Sequence, residues 1–173
     1  AYIEPHHSDI MGFLNLRRNH GDENLRTRDL FLALWISDLF MERVRDNKTW
    51  HTFDPDECPG LTECYGDEYK KLYEKYESEN KATHTYNARE IWQAIFTSQK
   101  ESGMPYMLYK DNVNKHNSQS NMGVIKSSNL CCEITIYSDA KEYGVCVLSS
   151  ICLPKYVEDT YTEDELKIDF NER

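Results

Sequence analysis

Thr27-Arg28-Asp29-Leu30-Phe31-Leu32-Ala33-Leu34-Trp35-Ile36-Ser37-Asp38-Leu39-Phe40-Met41-Glu42-Arg43-Val44-Arg45 is the stretch on which the assembly of the chain turns. Leu30 to Ile36 is an unbroken apolar run of seven residues, and Leu39, Phe40 and Val44 carry the pattern on at helical spacing. Read as a single element, Thr27 to Arg45 is the strongest helix in the sequence, buried on most of its sides.

On the amino side, Tyr2-Ile3-Glu4 is short and apolar, and Pro5 keeps Glu4 out of helix. Ser8 then reads as an N-cap for a helix with Ile10, Phe13 and Leu14 on one face, and Asn19 to Asp22 as a loop. On the carboxyl side, Pro55, Pro59, Gly60 and Gly66 mark Asn47 to Gly66 as a long irregular connection. Tyr69, Leu72, Tyr73 and Tyr76 then fall at helical spacing. Asn87 with Glu90 predicts a capping box for a helix carrying Ile91, Trp92, Ile95 and Phe96, stopped by Gly103.

Beyond Gly103 the character changes. Met104 to Tyr109 is apolar, and Asn112 to Asn121 is almost wholly polar and reads as an exposed loop. Leu130 to Tyr137 and Val145 to Leu153 are expected strands, and Thr162 with Glu165 opens a last helix. Helices first and strands later, joined by connections too long for hairpins, predict an α/β protein.

Composition narrows the functions. The 173 residues suit one domain, and a formal net charge of -10 speaks against a nucleic acid or an anionic membrane as partner. Arg17-Arg18 and Lys70-Lys71 are flanked by acidic residues and read as solvated helix faces. No apolar run approaches the roughly 18 residues of a membrane span, and Ala1 to Pro5 does not resemble a secretory signal. Cysteines at 58, 64, 131, 132, 146 and 152 fit reduced thiols in a cytoplasmic setting better than a disulfide framework. The first residues and Asn171-Glu172-Arg173 both read as cuts through a larger fold.

The chemistry concentrates in Ser128-Asn129-Leu130-Cys131-Cys132-Glu133. In an extended backbone Asn129, Cys131 and Glu133 project to one side while Leu130 and Cys132 turn away. An amide, a redox-capable sulfur and a general base would then stand in a row. A turn asparagine, a small buried cysteine and a solvated glutamate account for the same residues without any chemistry. A Cys131–Cys132 disulfide would be strained. Cys146, within Tyr143-Gly144-Val145-Cys146-Val147-Leu148, and Cys152 read by themselves as buried structural thiols. Cys58 and Cys64 lack the paired short spacings of a zinc site, and adjacent His6-His7 suits hydrogen bonding or packing; no metal ligand set is expected. No Walker loop, GxGxxG fingerprint or GxSxG elbow occurs.

A set of longer matches runs in order along nearly the whole chain. Ala1-Tyr2-Ile3-Glu4-Pro5-His6-His7 with Asp9-Ile10 is similar to AYLEPWH-x-DI, and Phe13-Leu14-Asn15-Leu16-Arg17-Arg18-Asn19 to FLxLRKN. Arg28 to Met41 follows RDLFxALWIPDLFM, Glu57-Cys58-Pro59-Gly60-Leu61 matches ECPGL, and Pro105 to Asp111 matches PYMLYKD. Asn129-Leu130-Cys131 with Glu133-Ile134 matches NLCxEI. These motifs resemble those of the large subunit of class I ribonucleoside-diphosphate reductases. His6 stands where that family commonly has Trp, Ser37 where it has Pro, Asp54 where a cysteine is frequent, and Val147 where Asn is common after Cys146.

The resemblance implies that residues 1–173 are one partial domain, the middle of a ten-stranded α/β barrel with a central catalytic finger loop, helix-rich in this segment. It implies radical reduction of ribonucleoside diphosphates to deoxyribonucleoside diphosphates. Cys131 would be the thiyl radical that takes the 3′ hydrogen, Glu133 the acceptor of the 3′-hydroxyl proton, and Asn129 a hydrogen-bonding group for substrate. Cys146 would be one thiol of the reducing pair. The implied partners are a small subunit whose metal site generates the radical, a thioredoxin- or glutaredoxin-like donor, and the remaining large-subunit segments. ATP and dNTP effectors, the second thiol of the pair, the phosphate loop and the tyrosines of the radical route are expected outside this segment, which should not turn over alone. The alternative is a non-catalytic segment that serves only as an assembly piece of a larger reductase.

Overall fold

The computed structural model describes residues 1–156, and the expected helix at Thr162 lies outside them. Its first correction falls on Thr27 to Arg45. Ala33–Ile36 is a strand, β2, and the helix α2 begins only at Asp38 and runs to Arg45. All four strand residues are buried, because a parallel strand covered on both faces carries an unbroken apolar run. Such a run has no period to separate it from a buried helix. The boundary signal is Ser37, whose Oγ accepts from Phe40 N–H at 3.3 Å and caps α2.

Three parallel strands form the sheet, in the order β1 (Tyr2–Ile3), β2, β5 (Tyr106–Tyr109). Tyr2 and Ile3 pair with Ala33 and Leu34, and Ala33 to Ile36 pair with Tyr106 to Tyr109. The crossover from β1 to β2 contains α1 (Ile10–Asn15), whose N-cap is Asp9 rather than Ser8. The longer crossover from β2 to β5 contains α2, α3 (Gly66–Ser78) and α4 (Ala88–Ser102). It also contains an antiparallel pair, β3 (Thr49–Thr52) with β4 (His84–Asn87), so Asn47 to Gly66 is not wholly irregular. The capping box of Asn87 and Glu90 forms, and Gly103 ends α4 in the left-handed conformation.

One face of the sheet packs on the helices. Leu34 and Ile36 meet Ile10, Phe40, Ile91 and Ile95 there. An aromatic stack continues this core: Trp50 lies on Tyr73 with centroids 4.5 Å apart, and Phe40 meets Trp50 edge-on at 4.9 Å. Strands and helices thus alternate, rather than helices preceding strands. The molecule is mixed α/β, and no closed barrel forms among the described residues.

Neither late strand forms. Leu130 to Tyr137 and Val145 to Cys152 are irregular, a short 3-10 helix spans Leu153–Tyr156, and Val145, Val147 and Leu148 are more than three-quarters exposed. A β-branched composition only suits a segment to a sheet; the ladder needs a partner strand, and among the described residues no strand pairs with these segments. The polar stretch after Lys110 also departs from expectation. Lys110–Lys115 is a helix, α5, and Lys110, Asp111 and Asn114 are buried.

Candidate active site

The second face of the sheet carries Ala33, Trp35 and Leu108, with Tyr2 and Tyr106 at its border. Helix α5 meets it through Val113, and the segment after α5 covers it through Ile125 and Cys132. Ile125 is buried, and Asn114 of α5 fixes it by both backbone groups. The chain then passes over the sheet and reaches the residues singled out by sequence.

Asn129 to Cys132 form a turn, not a strand. The Cys132 N–H donates to the Asn129 carbonyl at 3.4 Å, and Cys132 adopts a φ of 67°, in the left-handed region. Cys131 occupies the third position of this turn and is exposed. The side alternation expected of an extended chain holds only from Cys131 on: Cys131 and Glu133 face out while Cys132, Ile134 and Ile136 are half-buried, but Leu130 is exposed beside Cys131 and Asn129 is half-buried, because the turn breaks the period. Asn129 is central. Its Nδ2 donates to Glu133 Oε1 at 2.7 Å, and its Oδ1 accepts from the Ile134 N–H at 3.3 Å. The turn therefore joins the amide and the carboxylate directly and holds the thiol at its tip.

Cys146 is exposed and lies in irregular chain, not buried in a strand. It shares with Ser128, Asn129, Ile134 and Gly144 a cleft of about 230 Å³. Asn129 thus borders both the carboxylate and the second cysteine. Cys152, expected to be buried, is exposed as well, and only Cys58 and Cys64 behave as structural groups. Burial pushes Cys58 and Cys64 up, and Cys64 Sγ donates to the Gly60 carbonyl at 3.3 Å. Among the described residues no group of three or more His, Cys, Asp and Glu side chains is placed to hold a metal.

Two elements of the surroundings were not legible beforehand. Tyr2 reaches the turn across 127 residues of sequence, its hydroxyl 2.8 Å from the Asn129 carbonyl. The other is a buried charge system behind β1. Lys110 Nζ lies 3.0 Å from both Glu4 oxygens, donates to the Leu61 carbonyl at 2.7 Å, and sits 4.8 Å from the Tyr69 ring centre. His6 Nδ1 joins it, 3.4 Å from Glu4 and 3.1 Å from the Tyr69 hydroxyl, so His6 takes a hydrogen-bonding role. Burial would raise the Glu4 carboxyl, but His6 and Lys110 outweigh it and hold the group below the usual carboxylate range. No spacing rule links residues 4, 6, 69 and 110; the parallel sheet brings them together.

A three-stranded parallel sheet thus carries its crossover helices on one face and, beside α5, a turn that presents a thiol on the other. Comparison with known proteins supplies the class. The matching family is the ribonucleotide reductase barrel domain, over residues 1–172, and the chain belongs to it. It is 57% identical over 158 residues to the ribonucleoside-diphosphate reductase large subunit of Plasmodium falciparum, covering 91% of this chain and 20% of that protein. It is 53% identical over 159 residues to the Arabidopsis thaliana large subunit, with 92% and 20% covered. The vaccinia virus large subunit is 54% identical over 158 residues, with 91% and 20% covered. The chain thus spans about a fifth of the length of these relatives. No helix among the described residues is long and apolar enough to cross a membrane.

Proposed function

We propose that residues 1–173 are the middle part of the catalytic barrel of a ribonucleoside-diphosphate reductase large subunit and supply its radical-bearing turn. The observation that carries this reading is the 2.7 Å bond between Asn129 and Glu133 on a turn that presents Cys131 to the outside. A ribose brought to the tip of that turn meets a thiol, an amide and a carboxylate together.

In this reading Cys131, as a thiyl radical, takes the hydrogen atom from C3′, which leaves an S–H bond and a carbon radical. Glu133 accepts the 3′-hydroxyl proton, and the substrate hydroxyl replaces the Asn129–Glu133 bond with bonds to both side chains. The 2′-hydroxyl leaves as water with one added proton. Two electrons come from a thiol pair, Cys146 and a cysteine in another part of the large subunit, whose two hydrogens supply the proton of that water and the new C2′–H bond as the sulfurs close to a disulfide, while Glu133 returns its proton to the 3′ oxygen. Cys131 then returns its hydrogen atom to C3′. The product is a deoxyribonucleoside diphosphate, and a thioredoxin- or glutaredoxin-like donor reopens the disulfide.

The radical would be generated at the metal site of a small subunit, and ATP or dNTP effectors would bind other segments of the large subunit. A cytoplasmic setting suits thiols that must stay reduced. The test is turnover of cytidine diphosphate by the complete large subunit carrying this segment, assembled with its small subunit. Turnover that disappears in Cys131→Ser, with assembly intact, is the expected result. Turnover that persists in Cys131→Ser would leave the segment as an assembly piece.

A further inference from the structure

The hydrogen bonds around the turn form a closed set that leaves out only its tip. Tyr2 Oη lies 2.8 Å from the Asn129 carbonyl and 3.2 Å from Cys132 Sγ. A hydroxyl has one proton and a carbonyl can only accept, so Tyr2 donates to Asn129 and the Cys132 thiol donates to Tyr2. The Cys132 N–H returns to the same carbonyl at 3.4 Å. The first and last residues of the turn are thereby tied to each other and to β1, with Leu130 and Cys131 outside the ring.

The tie has a firm base. Tyr2 pairs with Ala33 in the sheet, and its ring meets the fully buried Trp35 edge-on, with centroids 6.2 Å apart. Cys132 is held at a positive φ, which a non-glycine residue adopts only where its surroundings impose it. Burial, the largest cause, pushes the Tyr2 hydroxyl up to about 12, so it keeps its proton throughout the neutral range.

We propose that Tyr2, acting with Cys132, is a positioning residue for the radical cysteine: its hydroxyl clasps the two ends of the 129–132 turn and so sets where Cys131 Sγ stands. This rests on the reductase reading of Cys131. A hydrogen-atom transfer tolerates little displacement between donor and acceptor, so loosening the turn lowers the rate of chemistry far more than it weakens substrate binding.

The test uses the complete large subunit with its small subunit, in which Tyr2→Phe keeps the ring against Trp35 and removes only the hydroxyl. Two readouts are required together. The expected results are a kcat lower by roughly tenfold with KM within about twofold of the parent, and amide hydrogen exchange across residues 130–133 faster by roughly tenfold. Cys132→Ser, which retains a donor to Tyr2, should lose less activity than Cys132→Ala, and adding Cys132→Ala to Tyr2→Phe should cost little more than Tyr2→Phe alone. An unchanged kcat with faster exchange overturns the proposal, as does a fall in kcat with unchanged exchange. If the parent enzyme does not turn over, the reductase reading fails instead, and the exchange data still decide whether Tyr2 holds the turn.

Discussion

Asn114 holds Ile125 by both of its backbone groups: Oδ1 accepts from the Ile125 N–H at 2.8 Å, and Nδ2 donates to the Ile125 carbonyl at 2.9 Å. The same Nδ2 donates to the Lys110 carbonyl at 3.0 Å, which ties the pair into α5. One side chain therefore anchors the segment carrying Cys131 at the point where it first meets the sheet.

Asn114→Ala removes all three bonds and orphans a buried N–H and a buried carbonyl on Ile125. Each orphaned group costs about 1–3 kcal/mol. The expected outcome is a lower urea midpoint and faster proteolytic cleavage between residues 117 and 134. Asn114→Asp should lie between the two, because it keeps the acceptor and loses the donor. An unchanged midpoint and cleavage pattern in Asn114→Ala would remove the anchor from this account.

Glu4 and Lys110 form a buried pair, the lysine fully enclosed. Removing one partner of such a pair strands the other charge and costs about 3–5 kcal/mol, whereas removing both relieves the desolvation of each. Lys110→Met should therefore destabilise the fold strongly, and Glu4→Gln with Lys110→Met should recover much of the loss. Urea unfolding of the two single variants and the double variant gives the coupling. Strictly additive losses would show that the pair is not coupled.

The same carboxyl sets an acid limit. Because the native Glu4 lies below its ordinary value of 4.5, the folded state keeps the charge to lower pH than the unfolded chain does. Its contribution is complete above that ordinary value and is lost as pH falls through the lower native value. Stability measured from pH 7 down to pH 3 should hold to near pH 5 and then decline, and Glu4→Gln should flatten the decline. An equally steep decline in Glu4→Gln would assign the acid sensitivity to other groups.

What the sequence made legible follows from how local each signal is. The capping box at Asn87, the helical stripe of Tyr69, Tyr73 and Tyr76, and the stop at Gly103 lie within a few turns of chain, and all three form. Ala33 to Ile36 was misread because burial on both faces erases the period that distinguishes strand from helix. Asn114 lies among polar residues and so reads as exposed; its burial depends on Ile125 folding back over α5. At the site a motif singles out Asn129, Cys131 and Glu133, while alternation holds for Cys131 and Glu133 and fails at Leu130, which is exposed, and at Asn129, which is half-buried. The turn itself was missed, since a left-handed Cys132 is imposed from outside by Tyr2. Contacts of this kind come from the sheet and have no signature in neighbouring residues.

Thiol reactivity provides a separate reading of the site. Cys131, Cys146 and Cys152 are exposed, Cys58 is buried, and burial pushes the Cys58 thiol up. A thiol reacts as its thiolate, so exposure favours the first group and burial holds Cys58 back. Native protein treated briefly with iodoacetamide at pH 8 and mapped by mass spectrometry should carry label on Cys131, Cys146 and Cys152, with Cys58 labelled last and fully only after denaturation. Cys64, half-buried and bonded to the Gly60 carbonyl, should react at an intermediate rate. Early label on Cys58 in the folded protein would mean that the ECPGL segment opens readily. Protection of Cys131 at the level of Cys58 would mean that the turn holds its thiol inward, and its place as the group that meets the substrate would have to be given up.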